Sequence, residues 1–407
     1  MCRGTLSERQ LGFIQDHVDA LRTFIPDRFS DSFTNPCWYV DINPPPEAII
    51  QQKISTTLSE IENTSVDKVS KLLVKVTSTG KEQAYGNHKD DMLVCLPAFY
   101  LAGFPKCGTS TLYKLITAHP RIAFPYIKEG HFWKYFMMND EQYVYRALKS
   151  YYYLFHFSEA TKRIKKNPRI ITLDASPSTI YVTSGNTPLL ADSDICIFPC
   201  TISTVLPDAK YIVIMRNPIT RLWSDYWFFC AINNWRTESG QVNIPKEYLK
   251  HGPDMFHNHS VMAITKYKSC LQAKSEFECA RLATLSMKPG EGCGARIGVG
   301  LYYLHIVKWL SVLPRKQFLF LRTEDLANDS KAVMQRVWKF LGLPPFVQNT
   351  QAVHRKSWKT ISGEDSSSLR MSSHTKKMLS SFYEPYNHIL AALLKDDNFL
   401  WQDQQQL

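Results

Sequence analysis

GFPKCGTST, residues 103–111, joins an apolar run to a helical pattern through a glycine-rich turn. Such a loop presents successive backbone N–H groups and the positive end of a helix to an anion, and glycine permits close approach. The glycine spacing resembles that of a nucleotide-binding phosphate loop, yet Thr109 follows Gly108 where a nucleoside triphosphatase carries lysine. The cation comes earlier, at Lys106. The stretch therefore predicts an anion-binding loop that differs from that of a kinase.

Outside this loop, apolar runs alternate with helical patterns. We interpret four runs as buried parallel strands: CLPAFYLAGF at 95–104, RIITLD at 169–174, AKYIVIMR at 209–216 and QFLFLR at 317–322. The alternation predicts an α/β fold with an open, mostly parallel sheet flanked by helices and a P-loop-like phosphate loop. We predict one main domain at 92–402, preceded by a stem or accessory segment at 1–90.

A second anion site is predicted where the third apolar run ends. Arg216 stands at the carboxyl end of that run, and Ser224 follows on the ensuing helix. Arginine supplies a planar fork of donors suited to phosphate, and a hydroxyl one to two turns into the helix can close on the same group. Taken singly, Arg216 fits a helix-cap or surface ion-pair residue, and Ser224 fits a solvated helix position. Together with the upstream loop, the pair predicts phosphate binding.

Two separate phosphate sites favour a nucleotide that carries both a 5′ and a 3′ phosphate. Lys106 is then the natural cation to stabilise charge on the oxygen of the leaving group. An alternative is a P-loop nucleotide kinase, in which Asp174 at a strand end would hold magnesium. A further alternative for residues 103–111 is a well-capped turn without a ligand.

PKCGTSTL at 105–112 followed by RNPITRLWSDY at 216–226 resembles the two donor-binding motifs of sulfotransferases. The chain is similar to the Golgi carbohydrate sulfotransferases over roughly residues 92–402. It lacks the late RKGxxGDWK element of the cytosolic branch. The segments that carry the resemblance also include IKEGHFW at 127–133, the Cys270–Cys279 spacing, VGLYYLHIVKWLSV at 299–312, FLFLRTEDL at 318–326 and SSFYEPYN at 380–387.

The resemblance implies transfer of a sulfuryl group from 3′-phosphoadenosine 5′-phosphosulfate (PAPS) to a sugar hydroxyl, without a metal. The acceptor it implies is a chondroitin- or dermatan-type glycosaminoglycan, at the 6-O position of N-acetylgalactosamine 4-sulfate. A non-catalytic glycan-binding relative is an alternative, because fold does not guarantee chemistry. The donor-binding residues it implies are Lys106, Cys107, Gly108, Thr109, Ser110, Thr111, Arg216 and Ser224.

Glu129 lies where the similar Golgi enzymes carry a catalytic glutamate, in a KExHFF-type segment, and the resemblance implies that it is the general base. We expect burial beside Phe132 and Trp133 to raise its pKa toward neutrality. His131 is the second candidate for the base, or a residue that orients the acceptor. Alternatively, Glu129 pairs with Lys128 on a surface loop.

Other candidates are weaker. For Asp174 we consider three roles: contact with the sugar, bracing of Lys106, or capping of its strand end. The aromatic residues Tyr302, Tyr303 and His305 sit at helical spacing and are expected in the core rather than in an acceptor groove. The basic segment HRKSWK at 354–359 either closes over the donor or is a solvated turn.

The charge balance favours a polyanionic partner. Lysine and arginine number 48 against 37 aspartate and glutamate, which gives a net charge of +11. An acidic glycosaminoglycan fits this excess. The chain shows no RNA-recognition signature, zinc-finger spacing or long basic run, so nucleic acid has no further support, and no cluster of histidine and cysteine has metal-ligand spacing. Oligomeric state is not indicated.

The cysteines and glycosylation motifs indicate the secretory pathway, and the resemblance to the Golgi carbohydrate sulfotransferases implies the Golgi lumen or membrane. There are 10 cysteines, with Cys270–Cys279 as the favoured disulfide and two buried thiols as the alternative. Asn-x-Ser motifs begin at Asn63, Asn258 and Asn328. The segment at 1–10 has no apolar signal region, and the apolar stretch at 92–104 is too short to span a bilayer. We therefore expect an anchor outside this sequence or in an unrecognised segment.

Overall fold

A computed structural model describes residues 8–22, 25–40, 92–125, 128–133, 158–181, 197–239, 251–284, 293–346 and 370–402. The strands are β1 (Cys37–Val40), β2 (Met92–Cys95), β3 (Phe99–Gly103), β4 (Ile122–Ala123), β5 (Ile171–Asp174), β6 (Lys210–Met215) and β7 (Phe318–Arg322). The helices are α1 (Glu8–Arg22), α2 (Thr109–Thr117), α3 (Ser158–Lys166), α4 (Ile197–Val205), α5 (Pro218–Glu238), α6 (Pro253–Cys270), α7 (Glu276–Thr284), α8 (Tyr302–Leu310), α9 (Thr323–Asn328), α10 (Ser330–Leu341) and α11 (Ser373–Leu394).

Five strands form one sheet in the order β4-β5-β3-β6-β7. β5 pairs in parallel with β3, with Phe99 opposite Leu173, and in parallel with β4, with Ile122 opposite Ile171. Strands buried on both faces read as continuous apolar runs, which is why four strands were visible in the sequence. The predicted α/β class with a parallel sheet is confirmed.

The chain divides into two compact units. The first contains the described parts of Met1–Ala102, Ile116–Thr187 and Ile197–Tyr211. In it β1 pairs antiparallel with β2, so part of the predicted N-terminal segment belongs to this unit. The predicted boundary near residue 90 lies outside the described residues and stays a prediction.

The second unit contains the described parts of Gly103–Leu115, Pro188–Cys196 and Ile212–Leu407. Two features stabilise the start of its long helix α5. Pro218 is the first residue of the helix, and the side chain of Asn217 accepts a hydrogen bond from the backbone N–H of Ile219 at 2.9 Å. Helix α10 is capped by Asp329 and ends at Gly342 with a φ of 73°. Helices α5, α6, α8 and α11 contribute to an apolar cluster that includes Tyr226, Phe256, Tyr267, Leu304 and Tyr383.

Disulfides join Cys37 to Cys95, Cys230 to Cys293 and Cys270 to Cys279. The last pair confirms the disulfide favoured from the sequence. The motif residues Asn258 and Asn328 are exposed, whereas Asn63 lies outside the described residues. None of the described helices has the length and apolar character needed to cross a bilayer.

Replacing Cys37 and Cys95 together by serine should lower the free energy of unfolding by about 4 kcal/mol, because this disulfide closes a loop with a sequence separation of 58. Urea unfolding monitored by tryptophan fluorescence measures the change. The matched control is the double serine variant of Cys270 and Cys279, whose separation is 9 and whose expected cost is about 3 kcal/mol. An equal or larger loss in the control would contradict the loop-entropy account.

Candidate active site

The phosphate loop of the second unit runs from the end of β3 to the start of α2. Its backbone folds tightly, because the N–H of Cys107 donates to Phe104 O at 3.3 Å and the N–H of Phe104 donates to Ile214 O at 2.8 Å. Gly108 has a φ of 82°, in the left-handed region that favours glycine. A Cβ on Gly108 would lie 3.4 Å from the methyl group of Thr323. The left-handed conformation therefore favours glycine here, whereas a Cβ would make ordinary van der Waals contact with Thr323.

Thr323 joins the phosphate loop to the end of β6. Its hydroxyl lies 2.7 Å from Cys107 O and 3.0 Å from Met215 O, and its single hydrogen is shared between these two carbonyl groups. Thr323 opens α9 directly after β7, so the third strand end supplies the link. The sequence analysis did not single out Thr323. The rule that ligands bind at the carboxyl ends of parallel strands is the signal that points to it.

Tyr302 makes a second link between the same two loops. Its hydroxyl donates to Arg216 O at 2.8 Å and lies 3.5 Å from the Cys107 sulfur. Tyr302 and His305 are buried, which confirms the core positions predicted for them, while Tyr303 is only half-buried. The two predicted strand-to-helix junctions, at Cys107 and Arg216, thus meet on one tyrosine hydroxyl.

The Cys107 thiol is buried and takes part in a hydrogen bond with the Tyr302 hydroxyl. Burial raises the pKa of its thiol to about 11, although the hydrogen bond with Tyr302 opposes the rise. The charges of Arg221 and Arg216 also act to lower that pKa, which places both guanidinium groups near the loop. Cys107 is the free cysteine among the described residues, and it is a buried thiol rather than a reactive one.

The remaining predicted donor-binding residues lie at the two helix starts. Thr109, Ser110 and Thr111 form the first turn of α2, where backbone N–H groups have no intrahelical acceptor. Ser110 is exposed, while Arg216 and Ser224 are partly exposed at the start of α5. The Lys106 ammonium lies 3.8 Å from the ring centre of Phe228 on the same helix. These groups match the donor set that two phosphates need.

A buried ion cluster supports α5 beneath this region. Arg296 binds Asp225 with two hydrogen bonds of 2.8 and 2.6 Å, and Arg221 lies 3.4 Å from the same carboxylate. Burial alone would raise the pKa of Asp225, but the charges of Arg296, Arg221 and, more weakly, Lys106 hold it below its usual value. Arg221 is fully buried and also donates to Arg296 O at 3.0 Å. The sequence analysis missed this cluster.

A cavity of about 500 Å³ opens in the second unit beside Asn217, the residue after Arg216. Basic and polar side chains of α11 form much of its wall. A cavity with this lining can accept an anionic group. Its residues are Asn217, Ile219, Met371, Ser373, Lys376, Lys377, Ser380, Tyr383, Glu384, Asn387, His388, Leu400, Trp401 and Gln402.

In the first unit, a short segment after β4 carries Glu129 and His131. The buried Trp133 anchors it, because its ring N–H donates to the hydroxyl of Tyr100 on β3 at 3.3 Å. His131 has a φ of 50°, a conformation that costs energy for a residue other than glycine and therefore needs support.

Two buried serines that follow β5 provide this support. The backbone N–H of His131 donates to the Ser176 hydroxyl at 2.9 Å, and its Nδ1 lies 2.8 Å from the Ser178 hydroxyl. Its Nε2 lies 3.4 Å from a Glu129 oxygen. A continuous path of polar contacts therefore runs from Ser178 through His131 to Glu129.

The expected rise in the pKa of Glu129 is wrong. Burial does act to raise it, but the hydrogen bond with His131 opposes burial. The adjacent Lys128 ammonium contacts the carboxylate and lowers the pKa further, so that the net shift is downward. The pairing of Glu129 with Lys128 that the sequence left open is present, on a carboxylate that is 36% exposed.

Asp174 caps the end of its strand. It is buried, and its carboxylate accepts the backbone N–H of Ser176 at 2.7 Å. The strand-end cap considered for it is therefore present, and the contact with the sugar and the bracing of Lys106 stay predictions. The basic segment at 354–359 lies outside the described residues.

Residues 96–386 match the sulfotransferase domain family. The chain belongs to that family. Carbohydrate sulfotransferase 15 of Rattus norvegicus is 30% identical over 436 residues, covering 98% of this chain and 71% of that protein. The Homo sapiens protein of the same name is 30% identical over 412 residues, covering 93% of this chain and 66% of that protein. The resemblance read from the motifs is confirmed.

Among solved structures, a sulfotransferase from Alicyclobacillus acidocaldarius is 20% identical, with a TM-score of 0.46, and covers 75% of this chain and 98% of that chain.

With Thr323 changed to valine, we expect the free energy of unfolding to fall by about 1–3 kcal/mol, because the carbonyls of Cys107 and Met215 lose their donor while the side-chain volume is kept. Serine at the same position retains the hydroxyl and is the matched control. Urea unfolding compares the two variants. A loss in the serine variant with none in the valine variant would show that the methyl group, not the hydroxyl, stabilises this junction.

Proposed function

We propose that this sulfotransferase transfers a sulfuryl group from PAPS to a sugar hydroxyl of an acidic glycosaminoglycan. The observation that carries the proposal is the joining of the two strand-end loops by Thr323 and Tyr302, which sets an anion-binding loop beside Arg216. Similarity to carbohydrate sulfotransferase 15 supports a carbohydrate acceptor. We further propose the 6-O position of N-acetylgalactosamine 4-sulfate in chondroitin or dermatan sulfate, and a Golgi location.

The residues of the second unit fit a nucleotide with phosphates at both ends. The first turn of α2, which Gly108 directly precedes, offers backbone N–H groups to the 5′ end. Arg216 and Ser224 would hold the 3′ phosphate. When bound, PAPS supplies the sulfuryl group and leaves as a bisphosphate with the electron pair of the broken S–O bond. Lys106 would stabilise the negative charge that forms there.

Glu129 is proposed as the general base that accepts the proton of the attacking hydroxyl. Because its pKa is low, it is ionised at neutral pH and acts only as an acceptor. In neutral His131, Nε2 then carries the hydrogen that faces Glu129, and Nδ1 accepts from Ser178. Neither ring nitrogen is left for the acceptor hydroxyl. His131 is therefore proposed to orient Glu129 rather than to serve as the base.

Transfer itself can be tested with radiolabelled PAPS and a panel of desulfated and 4-sulfated glycosaminoglycans, followed by digestion and mapping of the label. We expect label on the 6-O position of 4-sulfated galactosamine. The Lys106→Ala variant should lose transfer while retaining the fold, and Lys114→Ala, an exposed lysine of α2, is the matched control. Binding of adenosine 3′,5′-bisphosphate without magnesium is expected. Magnesium-dependent ATP binding without sulfation would favour a kinase instead.

The Ser178→Ala variant should reduce kcat by about ten- to a hundredfold with little change in the KM for PAPS, because His131 loses the partner that fixes its ring. The Ser178→Thr variant keeps the hydroxyl and is the control.

The pH profile separates orientation from general damage. A mobile His131 no longer lowers the pKa of Glu129, so the acid limb of kcat/KM, where activity is lost as pH falls, should move to higher pH. An unmoved limb with a reduced kcat would rule out the orienting role.

A further inference from the structure

Helix α3 of the first unit carries a dense group of basic side chains that the proposed reaction does not use. Residues 160–170 read ATKRIKKNPRI and contain five lysines and arginines and no acidic residue. All five are exposed, and we call four of them the basic face: Lys162, Lys165, Lys166 and Arg169.

The fold holds α3 by its other side. Ala160, Thr161 and Ile164 are buried. Arg163 donates to Ile122 O at 3.1 Å and to Pro120 O at 3.0 Å, which ties the helix to β4. Arg163 therefore links α3 to β4, and the other four cations form the basic face.

A turn fixes the last member of the basic face. The backbone N–H of Arg169 donates to the Asn167 side chain at 3.1 Å, and Ile170 N–H donates to Asn167 O at 3.0 Å. Within the part of the chain that the structure describes, no carboxylate forms an ion pair with Lys165, Lys166 or Arg169.

The helix dipole does not account for all four charges. Cations in the last turn, such as Lys165 and Lys166, interact favourably with the negative end of α3. Lys162 lies earlier in the helix and Arg169 beyond its end. Like charges spaced four residues apart, as at Lys162 and Lys166, are unfavourable for the helix alone. A polyanionic ligand would offset that repulsion.

We propose that the basic face is a second binding site for a sulfated or carboxylated polysaccharide, separate from the site of sulfation. The ligand class follows from the proposed function and from the net charge of +11. The basic face precedes β5, whereas Ser176 and Ser178 follow it. A strand of four residues spans roughly 13 Å. A ligand must therefore be long enough to pass this strand in order to contact both the basic face and the region of Glu129.

Binding of long chondroitin sulfate chains without PAPS tests the site directly. Replacing all four residues of the basic face by glutamine removes four charges and keeps residues that favour helix. We expect the Kd at low salt to rise about tenfold or more, and the slope of log Kd against log [NaCl] to fall by about two. The control removes the same charge from scattered exposed positions: Lys266→Gln, Lys268→Gln, Lys331→Gln and Lys339→Gln. A loss in the control equal to that in the basic-face variant would overturn the proposal.

Two variants that each change only two residues of the basic face control for misfolding. Lys162→Gln with Arg169→Gln, and Lys165→Gln with Lys166→Gln, should each lose part of the affinity while circular dichroism and the melting temperature stay unchanged. Binding to vesicles of phosphatidylcholine with phosphatidylserine is measured in parallel and tests a membrane surface as the alternative ligand. If the basic face binds these vesicles but not chondroitin sulfate, its ligand is a membrane surface and the proposal fails.

Sulfation assays keep this inference distinct from the proposed function. On a short oligosaccharide acceptor, the basic-face variant should retain the activity of the unaltered protein. On the long polymer, its KM should rise about tenfold with kcat unchanged. Loss of sulfation on both acceptors would overturn the second site. Absence of sulfation by the unaltered protein, with polymer binding retained by the basic face, would contradict only the proposed function.

Discussion

The hydroxyl of Thr323 is the contact on which the arrangement of the second unit depends. It holds the carbonyls of Cys107 and Met215, which belong to loops far apart in sequence. Gly108 contributes to the turn of the phosphate loop, because its φ of 82° lies in the left-handed region that favours glycine. β7 also matters, because Thr323 follows directly after it and lies where the phosphate loop and the end of β6 meet. Three strand ends thus meet at the proposed anion-binding region.

The ion cluster beneath α5 gives that region its charge. Asp225 is one carboxylate set among Arg296, Arg221 and Lys106, so cations outnumber anions even after the ion pairs form. Burying such groups is costly, and the two-pronged contact with Arg296 offsets part of that cost. The surplus positive charge is compatible with a ligand that brings several negative charges. Structural support for α5 and attraction of an anion therefore come from the same residues.

The sequence alone was sufficient to predict structural features whose pattern is local in the chain. Apolar runs predicted the strands, and glycine spacing predicted the phosphate loop, because both depend on adjacent residues. Thr323 was not predicted, since its role requires the ends of β3, β6 and β7 to be neighbours. The pKa of Glu129 was predicted in the wrong direction for a similar reason. Its neighbour His131 is held by Ser178, which is 47 residues away along the chain.

The low pKa of Glu129 bears on how the proposed base works. Contacts with Lys128 and His131 keep the carboxylate ionised, but they also make it a weak base. A sugar hydroxyl becomes acidic only as its oxygen bonds to sulfur, so a weak base takes the proton late, when that bond is advanced. The enzyme then gains from a base that is always ionised and correctly oriented rather than from one of high basicity. In this proposal, Ser176, Ser178 and His131 contribute by orienting Glu129.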